Sequence, residues 1–205
     1  MKTLIAVPCG DSCPTDFVRS LLQLKVTGEN QYTFAQGSLV YDARNKLAEV
    51  ALEGNFDRIM WFDSDMSFLP DTMLKFHADL DEGREMVCGL FSTRKPPIEA
   101  TVYDKLYVEK TDKGLMPVHH KYEDYPKDEI FEVAGCGFAA VMMTGDLLRR
   151  VHDTFGLGFT PAAGFGEDLS FCLRAHEMGA KIYCDPRILV GHIGTAIYFP
   201  PEVQI

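Results

Sequence analysis

Residues 58–68 read RIMWFDSDMSF, an apolar run that ends in two aspartates one residue apart. The short apolar run Arg58 to Phe62 reads as a buried strand, and it leads straight into Asp63. Ligands of an open α/β sheet bind beyond the carboxyl ends of its strands, so both carboxylates fall at the edge where a ligand is expected. Their place matters more than their spacing, because an Asp-x-Asp triplet is common in any sequence.

Working outward, Thr3 to Val7 is a short apolar run stopped by Pro8. Asp16 to Lys25 carries Phe17, Leu21, Leu22 and Leu24 at helical spacing after the cap candidate Thr15. Leu39 to Leu52 puts Leu39, Ala43, Leu47 and Val50 on one face and ends before Gly54, the residue type expected just past a helix. Beyond the aspartates, Pro70 to Leu80 predicts a helix with proline in its first turn, and Met86 to Leu90 predicts a strand. The alternation predicts an α/β fold with parallel strands joined by helices.

That rhythm breaks at residues 101–129, which hold Tyr103, Tyr107, Tyr122 and Tyr125 among many charges. A turn signal at Thr111, Asp112, Lys113 and Gly114 lies between two strand-like runs, predicting a mid-chain β-hairpin followed by an exposed loop. Ile130 to Ala134 and Phe138 to Thr144 read as strands and Asp146 to His152 as a helix. A Gly/Pro-rich loop then leads into a helix over Glu167 to Met178, closed by Gly179. Two short runs, Lys181 to Cys184 and Ile188 to Val190, deliver His192.

The chain has 205 residues, 46% of them apolar, enough for one domain spanning residues 1–205. Its 30 acidic and 20 basic side chains give a formal charge of −10, which repels a phosphate backbone and argues against general nucleic-acid binding. Any phosphate must be held locally, by a bridging cation, a few placed basic groups or a helix N-terminus. None of the six cysteines has the two-residue gap of a zinc knuckle or redox pair. No apolar run reaches the roughly 18–20 residues that span a bilayer. Free thiols in a cytoplasmic protein are the expectation, without a membrane span.

A nucleoside diphosphate needs a hard divalent cation beside it, and such ions take carboxylate, phosphate and water oxygens. Asp63 and Asp65 could supply one direct ligand and one contact to ribose or to metal-bound water. The plainer alternative is a turn in which aspartate caps the next helix. The second candidate stretch is residues 164–194, GFGEDLSFCLRAHEMGAKIYCDPRILVGHIG. Glu167 and Asp168 open a helix, where the dipole favours negative charge, so simple capping is again the plain account. Gly164 and Gly166 before them suit a loop close to a substrate, and Phe171, Cys172 and Ala175 form the expected buried stripe. His192, between Gly191 and Gly194, lacks the apolar flanks of a core histidine and is a candidate ligand.

The order of these pieces resembles glycosyltransferases of the GT-A fold, particularly the family-2-like group: Val7-Pro8, Ala43-Arg44-Asn45, FDSD, GEDLSFCLRA and GHIG. The likeness runs from about Thr3 to Gly194 and is least in the hairpin. It implies a Rossmann-like, mostly parallel central sheet flanked by helices, and a single glycosyltransferase domain. It further implies Mn²⁺ or Mg²⁺ held by Asp65 and completed by His192. Asp63 would join the metal through its water or contact the nucleotide sugar, with Ser64 between the two aspartates in the donor site. Val7, Pro8 and Cys9 would border the nucleoside, and Arg44 would stand near the donor. Asp168, with Glu167 beside it, would be the general base of an inverting transfer from a nucleotide-diphosphate sugar to a saccharide or other acceptor hydroxyl. Only about eleven residues follow Gly194, where many of that group carry an extension that shapes the acceptor site.

Two other classes share parts of the pattern. A haloacid dehalogenase-type phosphatase also places an aspartate pair after a strand, although that strand is usually the first. A non-catalytic nucleotide-sugar-binding protein could use the same fold. A sugar nucleotidyltransferase fits less well, because the chain start lacks a glycine-rich phosphate loop followed by a basic residue.

Overall fold

The computed structural model describes residues 1–37, 39–112, 114–194 and 197–199, the side chains of Ile197 and Tyr198 excepted. In chain order the first half comprises β1 (Lys2–Cys9), α1 (Thr15–Gln23), β2 (Glu29–Gln36), α2 (Val40–Glu53), β3 (Arg58–Phe62), β4 (Met66–Phe68), α3 (Thr72–Asp81) and β5 (Met86–Leu90). The second half comprises β6 (Val102–Thr111), β7 (Gly114–Lys121), β8 (Phe131–Val133), β9 (Gly135–Cys136), β10 (Ala140–Thr144), α4 (Gly145–Phe155), α5 (Glu167–Glu177), β11 (Ile182–Ile193) and β12 (Ile197–Tyr198).

The central sheet runs β12-β11-β5-β10-β3-β1-β2, with β4 and β8 both paired to β11. β2, β1, β3, β5 and β11 share one direction, and β10 lies antiparallel between β3 and β5. The mostly parallel α/β sheet expected from the alternation is therefore present, except that the chain returns from the hairpin to enter the sheet from the opposite end.

Side-chain alternation explains how the sheet is buried on both faces. Leu4, Ala6, Ile59, Trp61, Val141 and Met143 point into one core with Leu47 of α2, Leu147 of α4 and Phe171 of α5. Their neighbours Ile5, Val7, Met60, Phe62, Ala140 and Met142 point into the other core with Phe17 of α1 and Phe76 of α3. Removing so much apolar surface from water is the main drive to this arrangement.

β6 and β7 form the expected hairpin, joined by β9 in a separate three-stranded antiparallel sheet. Lys113 of the expected turn lies outside the described residues. Four strands had no clear signal, β2, β4 and the two-residue β9 and β12. β2, ENQYTFAQ, is a polar edge strand with no buried residue, and β4 has three residues. The two runs before His192 are one strand, broken only by a register shift between Asp185 and Leu189.

Candidate functional site

β3 ends at Phe62, and the Asp63 N–H donates to the Ala139 carbonyl at 3.0 Å. The chain then turns through Ser64 and Asp65 into β4, which pairs antiparallel with β11 so that Met66 stands opposite His192. The Ile193 N–H closes the junction on the Asp65 carbonyl at 2.7 Å. This pairing brings Asp65 Oδ2 to 3.3 Å from His192 Nε2, across 127 positions of sequence.

The other ring nitrogen decides the chemistry. His192 Nδ1 lies 2.9 Å from the Ser92 carbonyl oxygen, which can only accept, so the ring proton belongs on Nδ1. A neutral His192 then presents its Nε2 lone pair to a carboxylate oxygen. Two acceptors face each other, an arrangement that is favourable once a proton or another cation stands between them. Burial works to lower the His192 pKa, but the hydrogen bonds to Asp65 and Ser92 outweigh it and raise it. Burial likewise opposes ionisation of Asp65, whose pKa is nevertheless lowered by His192 and Arg94.

Asp63 turns the other way. Its Oδ1 accepts from Arg44 Nη2 at 2.7 Å, and Arg44 is only 2% exposed. The guanidinium stacks near Phe138 and Phe159 and approaches Glu167 Oε1 through Nε at 3.6 Å. Burial pushes the Asp63 pKa up to about 6; Arg44 lowers it, while Asp65 and Glu167 raise it. Arg44 thus joins the end of β3 to the start of α5 and serves as a buried counter-ion.

The two acids that open α5 have different surroundings. Glu167 is tied to Arg44. Asp168 accepts the Leu169 N–H at 2.7 Å and is in no ion pair among the described residues. Burial, its largest influence, raises the Asp168 pKa, and Glu167 adds to it, against the Leu169 N–H and Arg44. The hairpin lies against this corner: the Pro117 ring of β7 would be 3.1 Å from a Cβ on Gly164, whose φ of +86° already favours glycine. Tyr103 of β6 has its pKa pushed up to about 12, first by burial and then by the Asp168 charge.

Pro8, Cys9, Gly37, Val40, Asp63, Ser64 and Asp65 are among the residues around a cleft of about 340 Å³ at the carboxyl ends of β1 and β3. Of the expected nucleoside-bordering residues, Pro8 and Cys9 reach the cleft, but as the end of β1 and not as a loop. Val7 is fully buried and belongs to the core. Among the described residues no three His, Cys, Asp or Glu side chains gather as a ligand set. Asp65 and His192 stand together, whereas Asp63 is committed to Arg44.

Two contributors escaped the sequence reading. Ser92 orients His192, and Arg94 donates from Nη1 to Asp65 Oδ2 at 2.8 Å and to the Ile193 carbonyl at 3.2 Å. Both lie just past the carboxyl end of β5. The basic pair Arg94-Lys95 at that position, in an acidic chain, was the signal available.

No family model matches the chain, and no curated protein sequence does. Among solved structures, the chain is similar to A197 from STIV with a TM-score of 0.71 and 18% identity, covering 100% of this chain and 98% of that one. It is also similar to S. aureus TarS 1-349 with a TM-score of 0.56 and 13% identity, covering 98% of this chain and 60% of that one. At these identities the likeness is one of fold. No helix among the described residues is long and apolar enough to cross a membrane.

Proposed function

We propose that this chain is a GT-A-type glycosyltransferase that moves a sugar from a nucleotide-diphosphate sugar to an acceptor hydroxyl, with Mn²⁺ or Mg²⁺ at Asp65 and His192. TarS, a distant neighbour in fold, is a glycosyltransferase. The observation that carries the reading is the facing pair of acceptors, Asp65 Oδ2 and His192 Nε2, held 3.3 Å apart at a strand edge with Nδ1 anchored on a carbonyl. A histidine fixed through its second nitrogen is the usual support of a metal-ligating imidazole. Oxygen and imidazole donors suit Mn²⁺, with phosphate and water filling the remaining positions.

A divalent ion there would offset charge developing on the departing diphosphate. Asp65 and His192 would hold it. Arg44 holds Asp63 and Glu167 in place by lying between them. Asp168, beside Tyr103 and in no ion pair among the described residues, takes the acceptor proton as the hydroxyl attacks the anomeric carbon, which gives inversion. A phosphatase would need an aspartate free to attack, and the Arg44 contact makes Asp63 a poor nucleophile.

Thermal shifts with UDP-, GDP- and dTDP-sugars, with and without Mn²⁺, test the reading. Stabilisation by one donor only when metal is present, followed by hydrolysis or transfer of that donor, is the expected result. Hydrolysis of p-nitrophenyl phosphate with no response to any sugar nucleotide would overturn it.

A further inference from the structure

The segment between β5 and β6 is a closed loop. Ser92 bridges Ala100, the Thr93 N–H donates to the Glu99 carbonyl at 2.9 Å, and Thr93 Oγ1 donates to the Pro97 carbonyl at 2.9 Å and accepts the Glu99 N–H at 3.2 Å. With Thr93 at its hub, the loop presents Arg94 and Lys95 as exposed neighbours. Its first residues already serve the site: the Ser92 carbonyl fixes His192, and Arg94 sits on Asp65.

Four carboxylates converge at this corner, Asp63, Asp65, Glu167 and Asp168, and two guanidinium groups pair with them. Arg44 is sealed between Asp63 and Glu167 with 2% of its side chain exposed, so it cannot turn toward a ligand. Arg94 is 46% exposed, and it shares with His192 the one oxygen, Asp65 Oδ2, on which a metal would be placed. A diphosphate entering a protein of net charge −10 meets repulsion from these carboxylates unless a cation is free to meet it. Guanidinium groups bind phosphate oxygens in planar, two-pronged fashion, and Lys95 adds a second positive charge at the same tip.

We propose that Arg94 is the diphosphate-binding cation of this site: it rests on Asp65 Oδ2 in the ligand-free protein, yields that oxygen to a divalent ion, and turns to the phosphates. The inference rests on the donor-site reading above. It gives the Thr93-Arg94-Lys95 loop two functions, orienting His192 from its base and holding phosphate from its tip.

The test uses Mn²⁺ alone and inorganic pyrophosphate in saturating Mn²⁺, with titrations on the wild type, Arg94→Ala and Arg94→Lys. Far-ultraviolet circular dichroism checks that each variant is folded. Arg94→Ala should bind Mn²⁺ several-fold more tightly, because the competitor for Oδ2 is gone. It should bind pyrophosphate about tenfold or more weakly, the loss expected for a charged hydrogen-bond donor, with Arg94→Lys between the two. A wild type that binds pyrophosphate and an Arg94→Ala variant that binds it equally well would overturn this inference and leave the donor site standing. Weaker Mn²⁺ binding by Arg94→Ala would overturn the competition for Oδ2. A wild type that binds neither probe would overturn both readings.

Discussion

β11 serves two acidic clusters, and the protein handles them in opposite ways. At its carboxyl end His192 faces Asp65 at the edge of an open cleft. Earlier in the same strand, just before the register shift, Asp185 faces Asp79 of α3, and both residues are almost wholly buried. Asp185 is satisfied: its Oδ1 accepts from the Arg187 N–H and Nε, and its Oδ2 accepts from Arg187 Nη2. Asp79 is not, since its buried Oδ2 has no fixed donor and Arg187 reaches Oδ1 only at 3.5 Å. Burial and the neighbouring Asp185 charge raise the Asp79 pKa to about 7, so that Asp79 carries a proton below that pH. One cluster is closed by a proton and a local arginine. The other keeps its acceptors half-buried beneath an arginine that is 46% exposed. The difference separates a carboxylate pair sealed inside the fold from a carboxylate–imidazole pair that borders a cleft.

The sharpest way to break the comparison is Asp65→Ala. Its carboxylate lies past a strand end and outside both cores, so the variant should fold and unfold much like the wild type. Mn²⁺-dependent binding of the sugar nucleotide should be nearly abolished. Titration calorimetry with the donor, with and without Mn²⁺, reads this directly; unchanged affinity in a folded variant would remove Asp65 from the metal site and leave the two clusters alike.

Next in size is the acidic start of α5. Asp168→Asn retains much of the size and capping capacity of the side chain but cannot take a proton. Transfer should fall by roughly 10²–10⁴, the usual contribution of a positioned base, with donor affinity near normal. Glu167→Gln weakens the contact to Arg44 and should disturb donor binding more than it does proton transfer. A larger loss of transfer in Glu167→Gln than in Asp168→Asn would exchange their roles. Wild-type transfer by both variants would make the pair structural.

Much of this could be read from the chain, for definite reasons. The strand running into Asp63 and the helix opening at Glu167 are continuous segments whose apolar patterns follow from burial on one or two faces. β3 and β5 occur at the expected residues. What could not be read depends on pairing between distant segments. β4 is too short for any period, yet its register against β11 places Asp65 beside His192. β2 lacks buried residues because it lies at the sheet edge, and so it carries no apolar alternation. The antiparallel entry of β10 is a matter of topology. Arg44 looked like a donor-side basic residue; its burial between Asp63 and Glu167 depends on three segments meeting.

The smallest expected effect belongs to the sealed cluster, and it concerns stability. Asp79 titrates near its ordinary value of 3.8 when unfolded and near 7 when folded. Between these values the native state binds more protons than the unfolded chain, so this residue's contribution is fully present below about pH 4 and is lost as pH rises through about 7. The groups around it are Lys75, Glu82 and Arg84 from α3 and the turn after it, with Asp185 and Arg187 from β11. Asp63 adds a change of the same sign up to about pH 6, so the informative quantity is the difference between variant and wild type. Asp79→Asn supplies a permanent donor for Asp185 in place of the titrating proton. Urea unfolding should find it more stable than the wild type at pH 8, on the order of 1–2 kcal/mol after allowing for the partial screening that Arg187 and solvent provide. At pH 4 that advantage should vanish. An advantage that persists undiminished at pH 4, or a variant less stable at pH 8, would mean that Asp79 does not carry that proton, and the contrast drawn along β11 would fail.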